Sequence, residues 1–449
     1  MASDGLGLFE SVSMALGGMI GGGIFAVLGV VASTSGTAAW MAFVAAGVIA
    51  LCSGAANIAL NDELSENGGP ITYIQRFTER TTLAGMAGWT FTVGYVGTSA
   101  MYAYAFGSYL TELVGLHAVA GVPARPIVSA AVVATFVGLN VLGAHASGRT
   151  EDVLVGLKVA ILVVFALAGL YYGFVSNKLT TGFGALGVGP LIAAAISFVA
   201  FEGWELLLYD QDSIRDPKAT VRKAIYISVV SATVLYALIA VVTTDLLTPA
   251  QIQQHAETAL AIASEPFFGQ LGFALISVAA LFSTGSAINA TLFSTARFTS
   301  RMAEQDLLPD KLDRSSGDGE PVRELLVVGL LAAAFTVAGS LQGITSFASL
   351  TFIVIMGGMN YLAITQRDST DLSVVVPIVG LAGTLITIPL LLWHLYSAEF
   401  GVFLTVAGIA VAVIAVELLY FERDWVESEV DAAESAVLGP DESLPPETD

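Results

Sequence analysis

Charge is scarce in this sequence: only 12% of its 449 residues are Asp, Glu, Lys or Arg, about half the roughly 25% of a soluble domain. That deficit excludes a soluble fold. Cysteine is almost missing, and the single Cys52 lies in an apolar run, so no disulfide framework or thiolate metal centre exists. The four histidines are scattered, His117 and His255 in loops and His145 and His394 near segment ends, which excludes a histidine metal cluster. No P-loop pattern occurs, so ATP hydrolysis by such a motif is excluded, and no cofactor or nucleic-acid partner is expected. Residues 1–10 lack a basic n-region and a cleavage pattern, so no removable signal peptide is expected. Period-two alternation is also missing: residues 154–172 are apolar apart from Lys158 and do not alternate, unlike the segments of about 10 residues in a membrane β-barrel.

What is there is apolar length. Hydrophobic residues make up 55% of the chain, with a mean hydropathy of +0.78. A helix crossing a bilayer needs about 20 mainly apolar residues, and such runs follow one another almost without pause from Ser11 to Tyr420. The reading is an all-α integral membrane domain over residues 1–421 with about twelve transmembrane helices. They are expected at 11–32, 37–60, 83–114, 126–145, 153–175, 189–211, 222–244, 268–300, 325–341, 346–365, 373–393 and 400–421. The third and eighth exceed a bilayer's need, so they tilt or extend into water. Residues 422–449 hold ten Asp or Glu against one Arg and are expected to form a disordered, solvated tail. The net charge of −21, with five lysines against twelve arginines, is similar to the surface of a halophile's protein. An ordinary acidic tail without a partner is the alternative.

The few basic residues orient the chain, because short cytoplasmic loops are enriched in Lys and Arg. With the N-terminus inside, 14 of them fall on the cytoplasmic side, among them Arg76, Arg80, Arg215, Lys218, Arg222, Lys311 and Arg367. Only Arg125 and Lys178 fall outside, and Lys158 lies in the membrane. Both termini are therefore expected in the cytoplasm of a multi-pass plasma-membrane protein.

Two segments break the apolar monotony. The first contains Gly17, Gly18, Gly21, Gly22 and Gly23, and glycine disfavours a helix interior by roughly 1 kcal/mol relative to alanine. An interrupted helix is expected there, with close packing through small residues as the alternative. The sixth carries Glu202 and Glu205 around Gly203, and carboxylates at mid-span cost several kcal/mol unless they face a cavity or a partner. Broken first and sixth helices are the arrangement of two inverted five-helix repeats, here about 11–175 and 189–365, with the two helices of 373–421 added. Unpaired amides at a helix start bind anions, and unpaired carbonyls at a helix end suit cations.

Residues 17–25, reading GGMIGGGIF, resemble the G-x-I-G-x-G-I-F pattern of the amino acid, polyamine and organocation (APC) transporter superfamily. The segment from Asn67 to Tyr73 is similar to its glycine-containing loop after helix two, and Phe201-Glu202-Gly203-Trp204-Glu205 to its helix-six signature. Asp216-Pro217, Arg222-Lys223-Ala224-Ile225, Asn289, Arg297 and Leu308-Pro309 continue the likeness in order. The resemblance implies a leucine-transporter-type fold and a secondary transporter of amino acids or related amines working by alternating access. It also implies that the Gly21–Gly23 turn offers the amides of Gly22 and Gly23 to a substrate carboxylate. The carbonyls of Ile20, Val199, Ala200 and Glu202 would receive its α-ammonium, with Phe201 and Trp204 as an outer gate. Two departures bear on substrate size and charge: Glu202 replaces an apolar residue, and Val199 replaces an aromatic one.

Lys158 sits six residues into the fifth segment from Asp152. It either snorkels back to the interface or stands in for a cation. The latter is implied by a resemblance to superfamily members in which a helix-five lysine replaces the sodium ion of relatives. Its ammonium would then meet carbonyls near Gly18 or Met19 and the hydroxyls of Ser283 or Thr284, giving proton-coupled, sodium-independent transport. Sodium symport or exchange, and a non-transporting sensor on the same fold, are the alternatives. A membrane-embedded enzyme lacks any nucleophile, metal or acid–base constellation. Tyr95, Tyr102, Tyr104 and Phe106 crowd the third segment, either along a pathway or as interfacial aromatics.

Overall fold

The structure, a computed structural model, describes residues 5–64, 68–142, 148–209, 211–304 and 322–416. The acidic tail, Asn67, His145, Lys311, Arg314, Arg423 and the Leu308-Pro309 pair lie outside the described residues. In hydrocarbon no water can satisfy a free N–H or C=O, so an apolar run closes its own hydrogen bonds as a helix. That is what nearly every described segment does.

The chain begins with α1 (Leu8–Ser35), α2 (Ala39–Glu63), a short amphipathic α3 (Pro70–Thr78), α4 (Thr81–Val114), α5 (Ala124–Val141) and α6 (Gly148–Val175). The sixth predicted segment is divided into α7 (Val188–Ser197) and α8 (Leu206–Tyr209). Then come α9 (Pro217–Leu246), the one-and-a-half-turn α10 (Pro249–Gln254), α11 (Ala259–Glu304), α12 (Val322–Ala338), α13 (Leu341–Thr365), α14 (Val375–Ala398) and α15 (Phe400–Val416). Each of the predicted spans coincides with one of these helices or, for the sixth, with a pair. Eight stretches among the described residues are long and apolar enough to cross a membrane, and one of them, Leu8–Glu63, contains both α1 and α2.

Boundaries follow ordinary chemistry. Pro70, Pro217 and Pro249 start their helices, where a missing N–H has no consequence. The side chains of Thr248 and Ser340 accept from the amides of Gln251 and Gly343. The eighth span begins earlier than expected because α11 carries a lead-in turn bent at Gly269, whose φ of +62° is the left-handed region. Neither α3 nor α10 was visible as an apolar run, because both are too short and polar to read as spans.

Helix α1 occupies the centre, in contact with α4, α6, α7, α9 and α11. The apolar stretch that holds α1 and α2 is 83% buried by protein, against 28% for α14. The core is therefore built around the glycine-rich helix, and α14 and α15 sit at the rim.

Candidate functional site

The sixth segment is broken where the carboxylates lie. Helix α7 ends at Ser197, a 3-10 turn covers Phe198–Phe201, Glu202 turns extended, and Gly203 adopts φ +123° before α8 begins. Only glycine takes that φ readily, and the space is as restrictive as the angle. A Cβ at Gly18 would lie 2.8 Å from the Cα of Gly203, so α1 and the break touch backbone to backbone.

A break frees polar backbone groups, and neighbours satisfy them. Ser349 on α13 donates to the Ile196 carbonyl (2.5 Å) and accepts from the Val199 amide (3.1 Å). Tyr236 donates to the Ala200 carbonyl (3.1 Å), and its ring meets that of Phe201 edge-on at 5.4 Å. The Val199 carbonyl closes the turn by accepting from the Glu202 amide (3.2 Å).

The first segment differs from expectation. Backbone from Leu8 to Ser35 forms one helical run, and none of its internal glycines has positive φ, so the interruption expected at Gly17–Gly23 is not found there. The glycines serve close packing instead. A Cβ at Gly22 would overlap the Tyr102 ring, one at Gly23 would lie 2.8 Å from Ala200 Cα, and one at Gly21 would lie 3.0 Å from Ala287 Cβ. The amides of Gly22 and Gly23 thus belong to a continuous helix packed against neighbours rather than to an open helix start.

Its carbonyls do receive outside donors. Lys158 on α6, only 6% exposed, donates to the Gly17 carbonyl at 3.0 Å. Ser283 on α11 donates to the Ile20 carbonyl at 2.9 Å. Thr284 turns back onto its own helix, donating to the Ala280 carbonyl at 2.7 Å. Lys158 thus meets the Gly17 carbonyl rather than one at Gly18 or Met19, while Ser283 meets a different carbonyl, that of Ile20 on the next turn of α1. Met19 itself is fully buried core. Lys158 does not snorkel, because its ammonium is held inside the protein.

A cavity of 420 Å³ runs from the break toward the N-terminal end of α1. Its lining includes Gly17, Gly18, Tyr95, Tyr102, Asn140, Glu202, Gly203 and Glu205, and it reaches Glu10 and Leu6. A second, of 570 Å³, shares Met14, Tyr95, Leu206, Phe293 and Ser294 with it and extends to Thr72, Asp212 and Arg297. Glu202 accepts from the Thr98 hydroxyl at 3.0 Å, and Glu205 accepts from the Gly203 amide at 2.8 Å.

The predicted residues therefore divide. Gly18 and Glu202 line the cavity. Ile20, Gly21, Gly22, Gly23, Val199, Ala200, Phe201 and Trp204 line neither space, and form instead the packed wall behind it. Among the aromatics of α4, Tyr95 and Tyr102 face the cavity, whereas Tyr104 donates to Glu257 at 2.7 Å. Sequence reasoning missed Asn140, whose amide donates to Asn289 at 2.8 Å across the cavity wall. Its signal was present as a lone asparagine within an apolar span.

Comparison with known proteins agrees with this architecture. The inner membrane transport protein YbaT of Escherichia coli is 29% identical over 87% of this chain and 90% of its own length. The methylthioribose transporter of Bacillus subtilis is 24% identical over 87% and 88%, and the serine/threonine exchanger SteT of Bacillus subtilis 23% over 68% and 69%. Among solved structures, a variant of the manganese transporter of Eremococcus coleocola superposes with a TM-score of 0.59 at 14% identity. It covers 92% of this chain and 94% of that one, a likeness of fold alone, and one of the leucine-transporter type. The amino acid permease family model matches residues 6–416, and the chain belongs to that family of membrane transporters, which are not enzymes.

Proposed function

We propose that this chain carries an amino acid or related amine across the plasma membrane by alternating access, coupled to protons and independent of sodium. The observation that carries the coupling is Lys158, whose buried ammonium meets the Gly17 carbonyl while Ser283 holds Ile20 on the next turn. A fixed ammonium in this place supplies the positive charge that a bound cation would otherwise bring. Burial disfavours a charged lysine and carbonyl contact favours it, so a change of access that alters either one loads or releases the proton.

The substrate seat is the end of the cavity where Gly18, Tyr102 and Glu202 meet. Contacts from a substrate carboxylate to the amides of Gly22 and Gly23 require α1 to open at that turn as well as the Tyr102 ring to leave Gly22, and Phe201 and Trp204 close the far side. About twelve crossings with both termini in the cytoplasm fit the bias of basic residues. The cavity is then reached from the cytoplasmic side, and the two repeats rock about α1 and the break. The printed activities of two relatives, a serine/threonine exchanger and a methylthioribose transporter, support a small polar substrate.

Uptake of labelled amino acids and amines into proteoliposomes tests this. Rates are expected to match in sodium and potassium buffers, to respond to a pH gradient, and to lose that response in Lys158→Ala. Uptake that requires sodium, or an alanine variant with an unchanged pH response, reduces Lys158 to a structural anchor.

A further inference from the structure

The charge of the cavity is one-sided. Glu10, Glu202 and Glu205 are among its lining residues, and no Lys, Arg or His is. Glu10 has a structural duty, accepting from the Gly7 amide at 3.0 Å at the start of α1. Lys158 reaches the Gly17 carbonyl without entering the lining. The two deep carboxylates, Glu202 at 9% exposed and Glu205 at 1%, have no basic side chain beside them in the lining.

Hydrogen bonding gives an independent indication of the same ligand. Glu205 uses one oxygen for the Gly203 amide, and its other oxygen, Oε1, is buried with no partner. Asn140 Oδ1 is in the same position. The orientation of that amide is set by its nitrogen, which donates to the Phe136 carbonyl at 2.8 Å and to Asn289 Oδ1 at 2.8 Å. The two fully buried lining side-chain atoms left without partners are thus both acceptors. Buried acceptors without donors are costly, and a ligand that relieves them brings N–H groups. The rings of Tyr95 and Tyr102 complete a lining suited to an ammonium or guanidinium. At 420 Å³ the space suits a small molecule.

We propose that this cavity selects a substrate with a positively charged group in addition to any α-ammonium, a diamine or a basic amino acid. Glu205 Oε1 receives that group, Glu202 lies beside it, and Asn140 Oδ1 takes a further N–H. The assignment rests on the transport reading above and narrows its substrate class.

Lysine against norleucine is the direct test, because the two share a four-carbon side chain and differ by the terminal ammonium. Binding to the purified wild-type protein is measured by calorimetry, with putrescine and alanine as further probes. Lysine is expected to bind about tenfold to a hundredfold more tightly than norleucine, the value of a hydrogen bond to a charged group. In Glu205→Gln and Glu202→Gln that preference shrinks toward unity, and Glu205→Asp restores part of it. Equal affinity for lysine and norleucine, or binding of none of the probes, overturns the proposal on the wild-type protein alone, whatever the variants' folding. Proteoliposome uptake separates the two readings. Uptake of norleucine as fast as lysine overturns the cationic assignment and leaves transport standing. Tight lysine binding without uptake of any probe overturns transport and leaves the cationic site.

Discussion

The two ends of α1 are treated differently by the rest of the molecule. Toward Leu8, residues Glu10, Met14, Gly17 and Gly18 face cavities. Toward Ser35 the helix is sealed: Tyr109 donates to the Phe25 carbonyl at 3.3 Å, and the backbone of Ala256 leaves no room for a side chain at Gly29. Beside that seal, Glu257 accepts from Tyr104 at 2.7 Å and from Ser108 at 2.6 Å. The Arg125 guanidinium lies 3.7 Å from the centre of the Tyr104 ring and donates to the Thr336 carbonyl at 2.6 Å. The contrast teaches that the sealed end combines close backbone packing at Gly29 with a few discrete polar contacts, two of them to Glu257 in the loop after α10. Such contacts can part without unfolding the core, as an alternating gate requires.

Abolishing the packing common to both ends has the largest expected effect. Gly23→Leu sets a side chain against Ala200 backbone that cannot rotate away. Uptake is expected to fall to background, with a stability loss of about 1–3 kcal/mol from overpacking, read by thermal melting in detergent. Normal uptake by this variant removes the tight seam between α1 and the break from the mechanism.

Breaking only the sealed end comes next. Glu257→Ala deletes two hydrogen bonds to a carboxylate, each worth about 1.5–3 kcal/mol. It is expected to raise impermeant maleimide labelling of a cysteine placed at the buried Ala26, in a Cys52→Ser background, by about tenfold or more. Tyr104→Phe keeps the ring under Arg125, loses one of the two bonds, and is expected to fall between wild type and Glu257→Ala. Unchanged labelling in both variants means that apolar packing alone closes this end.

The smallest effect is expected at an exposed charge pair. Arg222 and Asp62 form a salt bridge with side chains 55% and 21% exposed, and exposed pairs contribute about 0–1 kcal/mol. Arg222→Ala is expected to leave uptake unchanged within error and to shift melting by no more than that energy. A large loss of uptake there places part of the gate at this exposed pair.

Much of this was legible in the residues. Apolar length located the helices, because hydrocarbon imposes one solution on a backbone, and Gly203 between two glutamates marked the true break. The glycines of α1 misled because composition does not separate two uses of glycine. Gly203 is needed for its φ, whereas Gly18, Gly22 and Gly23 are needed for what they lack, and only the positions of Tyr102 and Ala200 decide between them. For Lys158 the resemblance implied a carbonyl near Gly18 or Met19, and the partner is the Gly17 carbonyl. Asn140 and Glu257 escaped because their partners are 149 residues away or more, a relation that no local pattern carries.

Ser349 has one more consequence. Its hydroxyl stands between the Ile196 carbonyl and the Val199 amide, so that amide is protected by a side chain of α13 and not by the ladder of its own helix. Deuterium uptake at Val199 is therefore a gauge of α13: it reports the fraction of time that α13 is parted from the break.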